Sequence, residues 1–398
     1  WDNRVILTSP GGGFDDPWQG FPGGNPFPTP GALGTDAFFA PYSSYYSIKP
    51  DNPTTTRNQW NLSVQRQQGD WTLDATYIGS QAAHIWYNRS LNYGLFVPGK
   101  GDANGQCTYN GGVAPFTVKP GKACSSNGNL NQRRRLNMLY PDSRGPQQLI
   151  SYVDQYENGG TQSYHGMLLS VQRRALDGVN IIGNYTLSHC WGDDNVSQSG
   201  HGGNPDDTFV HPLNRDQDRG NCRHDRRHAF NMTGVIASPE FASQALQNVA
   251  GNWNLSLIYR RTTGEYVTAD IGRDRSMSGI DTQRPNQLLE NVFLDKPGPM
   301  AQYLNPAAFK EPAVGTLGDM GTRNVQLFGS WAFDVGLTRR FQLGENQQLE
   351  FRAEAYNLTN SFRPVMSRGF NNLRNRNFGR IRASEDPRIL QFALKINF

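Results

Sequence analysis

The sequence of 398 residues is poor in both apolar and charged residues, which make up 36% and 18% of the chain. It has no apolar run near the roughly 18 residues that a membrane-spanning helix needs, which excludes a helical membrane protein. Glycine and proline are abundant instead, with 43 and 24 residues, and the 11% aromatic content argues against disorder. A folded, loop-rich, all-β chain remains. A β-barrel membrane protein is still allowed, because barrel strands carry their apolar residues in alternation.

A strong excess of charge of one sign is also missing, since 38 basic residues face 34 acidic ones. We therefore expect no nucleic-acid partner. The one basic run, Arg133-Arg134-Arg135, lies in a polar stretch and predicts a solvated loop. The first ten residues lack the basic start and apolar core of a signal peptide, so we expect either that the chain is not exported or that its beginning is missing.

No pair of cysteines has the CxxC spacing, which argues against a zinc ribbon or a thioredoxin-like redox site. The four cysteines lie in two Gly- and Asn-rich segments, and three disulfide connectivities are possible. We expect two local bridges, Cys107 to Cys124 and Cys190 to Cys222, with four unpaired thiols as the alternative. Such bridges would place these loops in an oxidising compartment outside the cytosol.

Alternation of apolar and polar residues is the most informative pattern, because it gives a strand one apolar and one polar face. Trp60, Leu62 and Val64, for example, alternate with Asn61, Ser63 and Gln65. The same pattern predicts four strand pairs, a separate strand at 149–156 and a final strand. The pairs are 60–65 with 71–77, 167–172 with 179–188, 230–236 with 253–259, and 331–338 with 349–355, and the final strand is 390–398.

The connectors between these strands alternate in length, which favours an outer-membrane barrel over a soluble sandwich. Bacterial barrels have short periplasmic turns and long extracellular loops, and a sandwich has no reason to keep that order. The final strand follows a long connector, so it would end at the periplasm. The short connectors are 67–70, 175–178, 238–251 and 342–347, and the long ones are 80–148, 189–226, 261–330 and 358–388.

The end of the chain resembles the signal by which outer-membrane barrels are recognised by their assembly machinery. This decapeptide, ILQFALKINF at 389–398, carries alternate apolar residues at Leu390, Phe392, Leu394, Ile396 and Phe398. Further segments resemble, in the same order, the C-terminal barrel region of Oar-like TonB-dependent receptors, which carry an N-terminal carboxypeptidase-regulatory-like domain. These segments are QWNLSVQR (59–66), DRRHAF (225–230), YLNPAAF (303–309), GTLG (315–318), GTRN (321–324), FRAEAYNLTN (351–360) and DPR (386–388).

The resemblance implies an antiparallel transmembrane β-barrel, of which residues 1–398 are the C-terminal part. We count roughly ten to twelve strands, about half of the 22 that plugged outer-membrane transporters use. The sequence shows no plug domain, TonB box, regulatory domain or signal peptide. Because open strand edges are costly in lipid, we expect that this chain alone does not close into a barrel.

Two groups of residues could carry chemistry. The segment 189–228 is dense in His, Asp and Cys, but its Asp216 and Asp218 lack the Gly and Glu of an EF-hand, so we interpret it as a polar loop without a metal. Glu350, Arg352 and Glu354 share one face of a strand, where we expect mutual neutralisation in a wet lumen or a contact to a plug. We predict no catalytic residue and no cofactor.

The resemblance implies a fragment of a TonB-dependent receptor that imports an unidentified ligand across the outer membrane of a Gram-negative bacterium. Its expected partners are outer-membrane lipid, the barrel-assembly machinery and an energy-transducing protein that acts on the missing N-terminal region. A secreted or surface β-sandwich that binds carbohydrate is the alternative, and a secreted hydrolase is a third hypothesis. An outward apolar band about 25 Å tall would favour the barrel, whereas apolar faces packed between two sheets would favour the sandwich.

Overall fold

A computed structural model of the chain describes residues 12, 15–20, 44–109, 113, 115–141, 149–174, 178–193, 209–294, 300–344 and 347–398. Its dominant feature is one large, mainly antiparallel sheet of eleven strands. In the described part of the chain, no helix combines the length and the apolar content needed to cross a membrane. The large sheet confirms the predicted all-β class.

Nine long strands make up the body of the sheet, and each pairs with its neighbours along the chain. The arrangement is a meander in which every step is antiparallel. The strands are β1 (Thr56–Gln68), β2 (Trp71–Ser90), β3 (Val153–Arg174), β4 (Val179–Gly192), β5 (His228–Ala237), β6 (Trp253–Thr262), β7 (Ser330–Gln342), β8 (Gln348–Tyr356) and β9 (Ile389–Asn397).

Two short strands complete the eleven. Tyr45–Ile48 runs parallel to the beginning of β3, and Gly220–Asn221 pairs with the end of β4. The total lies within the predicted range of ten to twelve strands.

The predicted strand pairs are confirmed, because alternation fixes which face of each strand is apolar and short turns fix its partner. Gly69 and Asp70 connect β1 to β2, and Gly69 adopts a φ of +57°, which favours glycine. The turn from β5 to β6 contains a helix, α1 (Gln244–Ala250). Residues 175–177 of the second predicted turn and 345–346 of the fourth lie outside the described residues.

The separate strand predicted at 149–156 is wrong, because these residues lead directly into β3. Strands β2 and β3 are 20 and 22 residues long, and they stay paired far beyond the level at which β1 ends. Their register shifts twice, between Ala83 and Ile85 and between Ile85 and Tyr87. Such irregularities break the period of two, so the sequence pattern does not show that the strand continues past them.

The remaining elements are short and belong to the long connectors. Four two-stranded sheets pair Gln106–Cys107 with Phe116–Thr117, Tyr266–Val267 with Val325–Gln326, Asn286–Gln287 with Phe309–Lys310, and Pro364–Val365 with Ala383–Ser384. The other helices of the described residues are an α-helix at Arg135–Leu139 and 3₁₀ turns at Asn127–Asn129, Asn131–Arg133, Arg215–Asp218 and Pro306–Ala308.

The largest packed apolar core lies in these connectors rather than under the sheet. It is formed by residues of 267–327 together with Phe370 and Phe378, and Tyr303 and Phe328 pack on it with ring centroids 4.6 Å apart. A second cluster surrounds Cys107 and Cys124. The long connectors therefore form a folded layer at one end of the sheet, which we call the loop cap (residues 91–152, 193–227, 263–329 and 357–388, as far as described).

Candidate functional site

One face of the sheet carries apolar side chains in rows that continue from strand to strand. The strand register places Leu62 opposite Tyr77, Tyr77 opposite Met167, and Met167 opposite Leu187. At the other side of the sheet, Ala353 lies opposite both Leu337 and Phe392. Because side chains alternate between faces, the facing partners in each row share one surface. We call this surface the apolar face.

The apolar face is exposed. Leu62, Phe392 and Leu394 are 67%, 70% and 72% exposed, and no second large sheet covers this face among the described residues. Leu390, Ile396 and Phe398 of the predicted assembly signal are exposed on β9 and just beyond it as well. The β-sandwich alternative is therefore wrong, because a sandwich would bury these side chains between two sheets.

Tryptophans mark both ends of the apolar face. Trp60 lies near the loop end of β1. Trp71 of β2 pairs with Gln68 at the turn end of β1, and Gln68 is eight residues beyond Trp60 (60 to 68). On β6 and β7 the separation is the same, because Arg261, the register partner of Trp331, lies eight residues beyond Trp253 (253 to 261). Eight residues span about 26 Å along a strand, or about 20 Å across a membrane at a tilt of about 40°. This height is close to that of the apolar band of an outer-membrane barrel.

The opposite face is polar and carries the predicted charged ladder. Glu350 accepts hydrogen bonds from Arg340 Nε at 2.9 Å and from Arg352 Nη2 at 2.8 Å, and Arg352 lies 3.8 Å from Glu354. Lys395 of β9 lies opposite Glu350 in the register. The sequence pattern brought three of these charges together, and the pairing of β7, β8 and β9 adds Arg340 and Lys395. Both carboxylates of the ladder lie beside arginine side chains, which is typical of a structural network rather than of an acid and base pair.

The predicted solvated loop at Arg133-Arg134-Arg135 is wrong for its first two residues, which are 0% and 1% exposed. Arg133 donates to Met277 O at 3.0 Å, to Ser126 O at 2.9 Å and to Asn129 Oδ1 at 2.9 Å. Burial lowers the pKa of the Arg133 guanidinium to about 10, against the raising effect of Asp274. The five donors of a guanidinium satisfy carbonyl groups that irregular loops leave unpaired, which explains why a charged residue lies inside the loop cap.

Arg134 has a similar role next to β3. It donates to Asn92 O at 2.7 Å and lies 3.9 Å from the centre of the Tyr152 ring. Burial lowers its pKa, and Tyr152 opposes this effect. Arg135 is exposed.

Ion pairs join other parts of the loop cap to each other and to the strand ends. Arg284 Nη1 lies 2.8 Å from Asp218 Oδ1, and both side chains are almost fully buried. Asp193, directly after β4, lies 3.7 Å from both Arg215 and Arg219. Burial raises the pKa of both carboxyl groups, and their arginine partners oppose this effect. The first pair ties two connectors to each other, and the others hold one of these connectors at the end of β4.

Both cysteine pairs are joined in the structure as Cys107 to Cys124 and Cys190 to Cys222, with Cα atoms 5.7 and 5.3 Å apart. All four side chains are buried. The second bridge connects the end of β4 to the strand segment that pairs with it. Each bridge therefore closes one connector of the loop cap.

The described part of the segment 189–228 does not gather its titratable residues around one point. His189 contacts Asp225 at 3.3 Å and Arg227 at 2.8 Å, His228 contacts Tyr185, and Asp218 pairs with Arg284. Among the described residues, no group of three or more His, Cys, Asp or Glu is placed to hold a metal ion. Asp194, His201, Asp206 and Asp207, which belong to the same predicted segment, lie outside the described residues.

Sequence reasoning missed a small cavity of about 70 Å³ between the loop-side end of β2 and the connector after β4. Tyr87 donates to Glu157 at 2.8 Å, and the Arg215 guanidinium lies 5.2 Å from the Tyr87 ring. Polar and aromatic groups that converge in this way can bind a polar ligand. Since Tyr87 and Arg215 are 128 residues apart (215 minus 87), no local sequence pattern could indicate this site. The lining residues include Tyr87, Arg89, Phe209, His211 and Arg215.

Comparison with known proteins agrees with this geometry. The family model described as "Outer membrane beta barrel domain" matches residues 6–391. Among curated proteins, none matches the sequence at a significant level.

Three solved structures are similar to the chain at low identity. The outer membrane transporter YddB from Escherichia coli is 11% identical with a TM-score of 0.40, over 91% of this chain and 34% of that one. The FrpB iron transporter from Neisseria meningitidis is 10% identical with a TM-score of 0.39, over 89% and 33%. The ferric-catecholate import receptor Fiu from E. coli K12 is 12% identical with a TM-score of 0.38, over 88% and 28%. The chain thus spans about a third of the length of these proteins.

A charged substitution should distinguish the two faces of the sheet. Leu257 lies at the middle of the apolar face on β6, opposite Gly234 and Val335, and its neighbour Ser256 lies on the polar face. Leu257→Arg should destabilise the protein in lipid vesicles by about 2–4 kcal/mol, because the guanidinium meets hydrocarbon. The matched control Ser256→Arg should cost less than about 1 kcal/mol. The urea concentration at the unfolding midpoint reports the stability of each variant. Equal losses of stability for the two variants would contradict the assignment of the faces.

Loss of the Arg133 side chain should open the loop cap. Arg133→Gln leaves several buried carbonyl groups without donors, at a cost of about 1–3 kcal/mol for each unsatisfied group. Limited proteolysis within 91–152 should therefore become at least about tenfold faster. Arg135→Gln, next to it but exposed, is the control and should not change the rate. An Arg133→Gln protein that is cleaved no faster than the control would contradict the bridging role.

Proposed function

The chain belongs to the outer membrane β-barrel domain family, and we propose that it forms part of an import receptor in the outer membrane of a Gram-negative bacterium. In this proposal, residues 1–398 are the C-terminal part of a receptor barrel of the TonB-dependent, Oar-like type. The sheet supplies part of the barrel wall, with its apolar face in lipid. The loop cap supplies part of the extracellular surface that captures a ligand.

The open sheet is the observation that carries this proposal. In the described residues, β1 and β9 each pair on one side only, so the sheet has two free edges. Every residue of β1 is exposed, as are nearly all of β9. Unpaired backbone groups cost several kcal/mol each in hydrocarbon, so a wall of this kind needs further strands on both sides. A larger barrel supplies them and encloses a lumen wide enough for a ligand and a plug.

The polar face and the loop cap suit two further tasks of an importer, which are to line the lumen and to bind the ligand. The charged ladder at Glu350, Arg352 and Glu354 would line the lumen or contact a plug from the rest of the protein. The cap, held by buried arginines and two disulfides, would keep its ligand-binding groups in place outside the cell. An energy-transducing partner would act on a plug region. The family is typically non-enzymatic, and we propose no reaction for this chain.

Uptake by living cells tests the import function even while the ligand is unidentified. Cells with and without the complete protein are grown in a complex medium, with and without a protonophore, and the compounds that disappear from the medium are identified by mass spectrometry. We expect at least one compound to be depleted only when both the protein and the proton gradient are present. Depletion that persists with the protonophore would contradict energy-coupled import.

The terminal residue should be required for efficient assembly. Phe398 is 91% exposed, at the end of the alternating apolar series of β9. If the assembly machinery reads this series, deletion of Phe398 should reduce the folded, heat-modifiable protein in the outer membrane several-fold. Asn397→Ala, which leaves the terminal aromatic ring in place, is the control. Equal amounts of folded protein in all three cases would contradict this role.

A further inference from the structure

The guanidinium group of Arg261 is exposed at the loop end of the apolar face. The register places Arg261 opposite Phe230 on one side and Trp331 on the other, in a row that continues from Phe230 to Tyr185. Arg261 makes no hydrogen bond or ion pair with any residue that the structure describes. A cation that faces lipid is costly unless an anion compensates it.

A groove runs beside this guanidinium. It has a volume of about 430 Å³ and is lined by Tyr185, His228, Phe230, Tyr259, Arg261 and Thr263. Its floor is aromatic, since the rings of Phe230 and Tyr259 lie 5.9 Å apart and those of Tyr259 and Trp331 lie 6.2 Å apart. Such a floor can hold a hydrocarbon chain, and its polar rim lies at the loop end.

The rim offers further donors beside Arg261. The Tyr185 hydroxyl is 2.7 Å from Nδ1 of His228, which leaves Nε2 of that ring without a partner among the described residues. Arg226 donates to Thr263 O at 3.1 Å and forms an exposed ion pair with Glu265 at 3.5 Å. Glu265 neutralises one of the two cations Arg226 and Arg261, so these contacts leave the rim with an excess of positive charge.

Two cations at the turn end of the apolar face, Arg173 and Arg339, have partners within the protein. Arg173 lies 5.9 Å from the centre of the Trp71 ring. Arg339 lies over the rings of Trp253 and Phe341 and donates to the carbonyl groups of Asn248 and Val249. Arg66 on β1 shares this face and is exposed as well. What distinguishes Arg261 is the groove that lies beside it.

We infer that the groove beside Arg261 binds a phosphate-bearing lipid of the outer leaflet. The phosphate of its headgroup would contact Arg261 and His228, and an acyl chain would lie on the Phe230 and Tyr259 rings. Guanidinium groups match phosphate geometry, and basic pockets on membrane proteins at headgroup level bind anionic lipids. The groove is continuous with the apolar face, so the lipid would reach it from within the membrane. This inference rests on the outer-membrane location and not on the proposed import.

Lipid retention by the complete protein tests the site. The purified protein in a non-ionic detergent is mixed with diphosphorylated lipid A, with the same lipid after removal of its phosphates, or with lipid A and inorganic pyrophosphate. Native mass spectrometry then counts bound lipid. The wild-type protein should retain lipid A about tenfold better than the dephosphorylated lipid, since charge-assisted hydrogen bonds are lost with the phosphates. Pyrophosphate at the same concentration should not displace the lipid.

Variants locate the site on the surface. Arg261→Gln should reduce retention of lipid A about tenfold, and Arg261→Lys should have an intermediate effect because it keeps the charge without the forked geometry. Arg173→Gln, at the other end of the same face, is the matched control and should behave like the wild type. His228→Gln gives a second test of the rim if Arg261→Gln does not assemble into the heat-modifiable form.

Four results would overturn the inference. The first is equal retention of lipid A by Arg261→Gln and the wild type, and the second is equal retention of lipid A and its dephosphorylated form by the wild type. The third is a loss of lipid A with Arg173→Gln as large as that with Arg261→Gln. The fourth is displacement of lipid A by pyrophosphate, which would indicate a site for free phosphate. If Arg261→Gln does not assemble, wild-type retention by His228→Gln overturns the inference in its place.

Discussion

The backbone hydrogen bonds of the sheet are the constraint on which the rest of this structure depends. In hydrocarbon, each peptide group must find its partner on a neighbouring strand, because no water is present to replace it. The meander of nine strands meets this requirement everywhere except at the outer sides of β1 and β9. The alternation of side chains follows from the same backbone pairing, with an exposed apolar face on one side and a face of paired charges on the other. The apolar face would be a liability in water and is suited to lipid.

Above the membrane the same requirement is met by different means. Long connectors have few regular ladders, so their carbonyl groups are satisfied by side chains, and Arg133 and Arg134 are the clearest examples. Their guanidinium groups, the buried pair of Asp218 and Arg284, and two disulfides act together with the apolar core around Phe370 in holding the connectors together. A cap built in this way can present polar groups to a ligand at fixed positions while the sheet beneath it stays inert.

Much of the sheet could be predicted from the sequence, because a period of two and a short turn such as Gly69-Asp70 are local signals. The length of β3 could not, since two register shifts opposite Gly160 and Glu157 interrupt the alternation. The burial of Arg133 could not be predicted either, because its partner Met277 lies 144 residues away in the chain. Its neighbours in sequence are those of a solvated loop. Glu350, Arg352 and Glu354 could be grouped because they alternate on one strand, whereas Arg340 joins them only through the register of β7 with β8.

The central claim is that β1 and β9 continue into a larger barrel. Amide hydrogen exchange of the complete protein in outer-membrane vesicles measures this most directly, with the interior strand β4 as the internal reference. Strands paired on both sides should protect their amides to a similar degree, so we expect residues 57–67 and 390–396 to exchange as slowly as 180–190. Fast exchange in β1 and β9, with β4 still protected, would show that these two strands are the free edges of the sheet and would contradict the account.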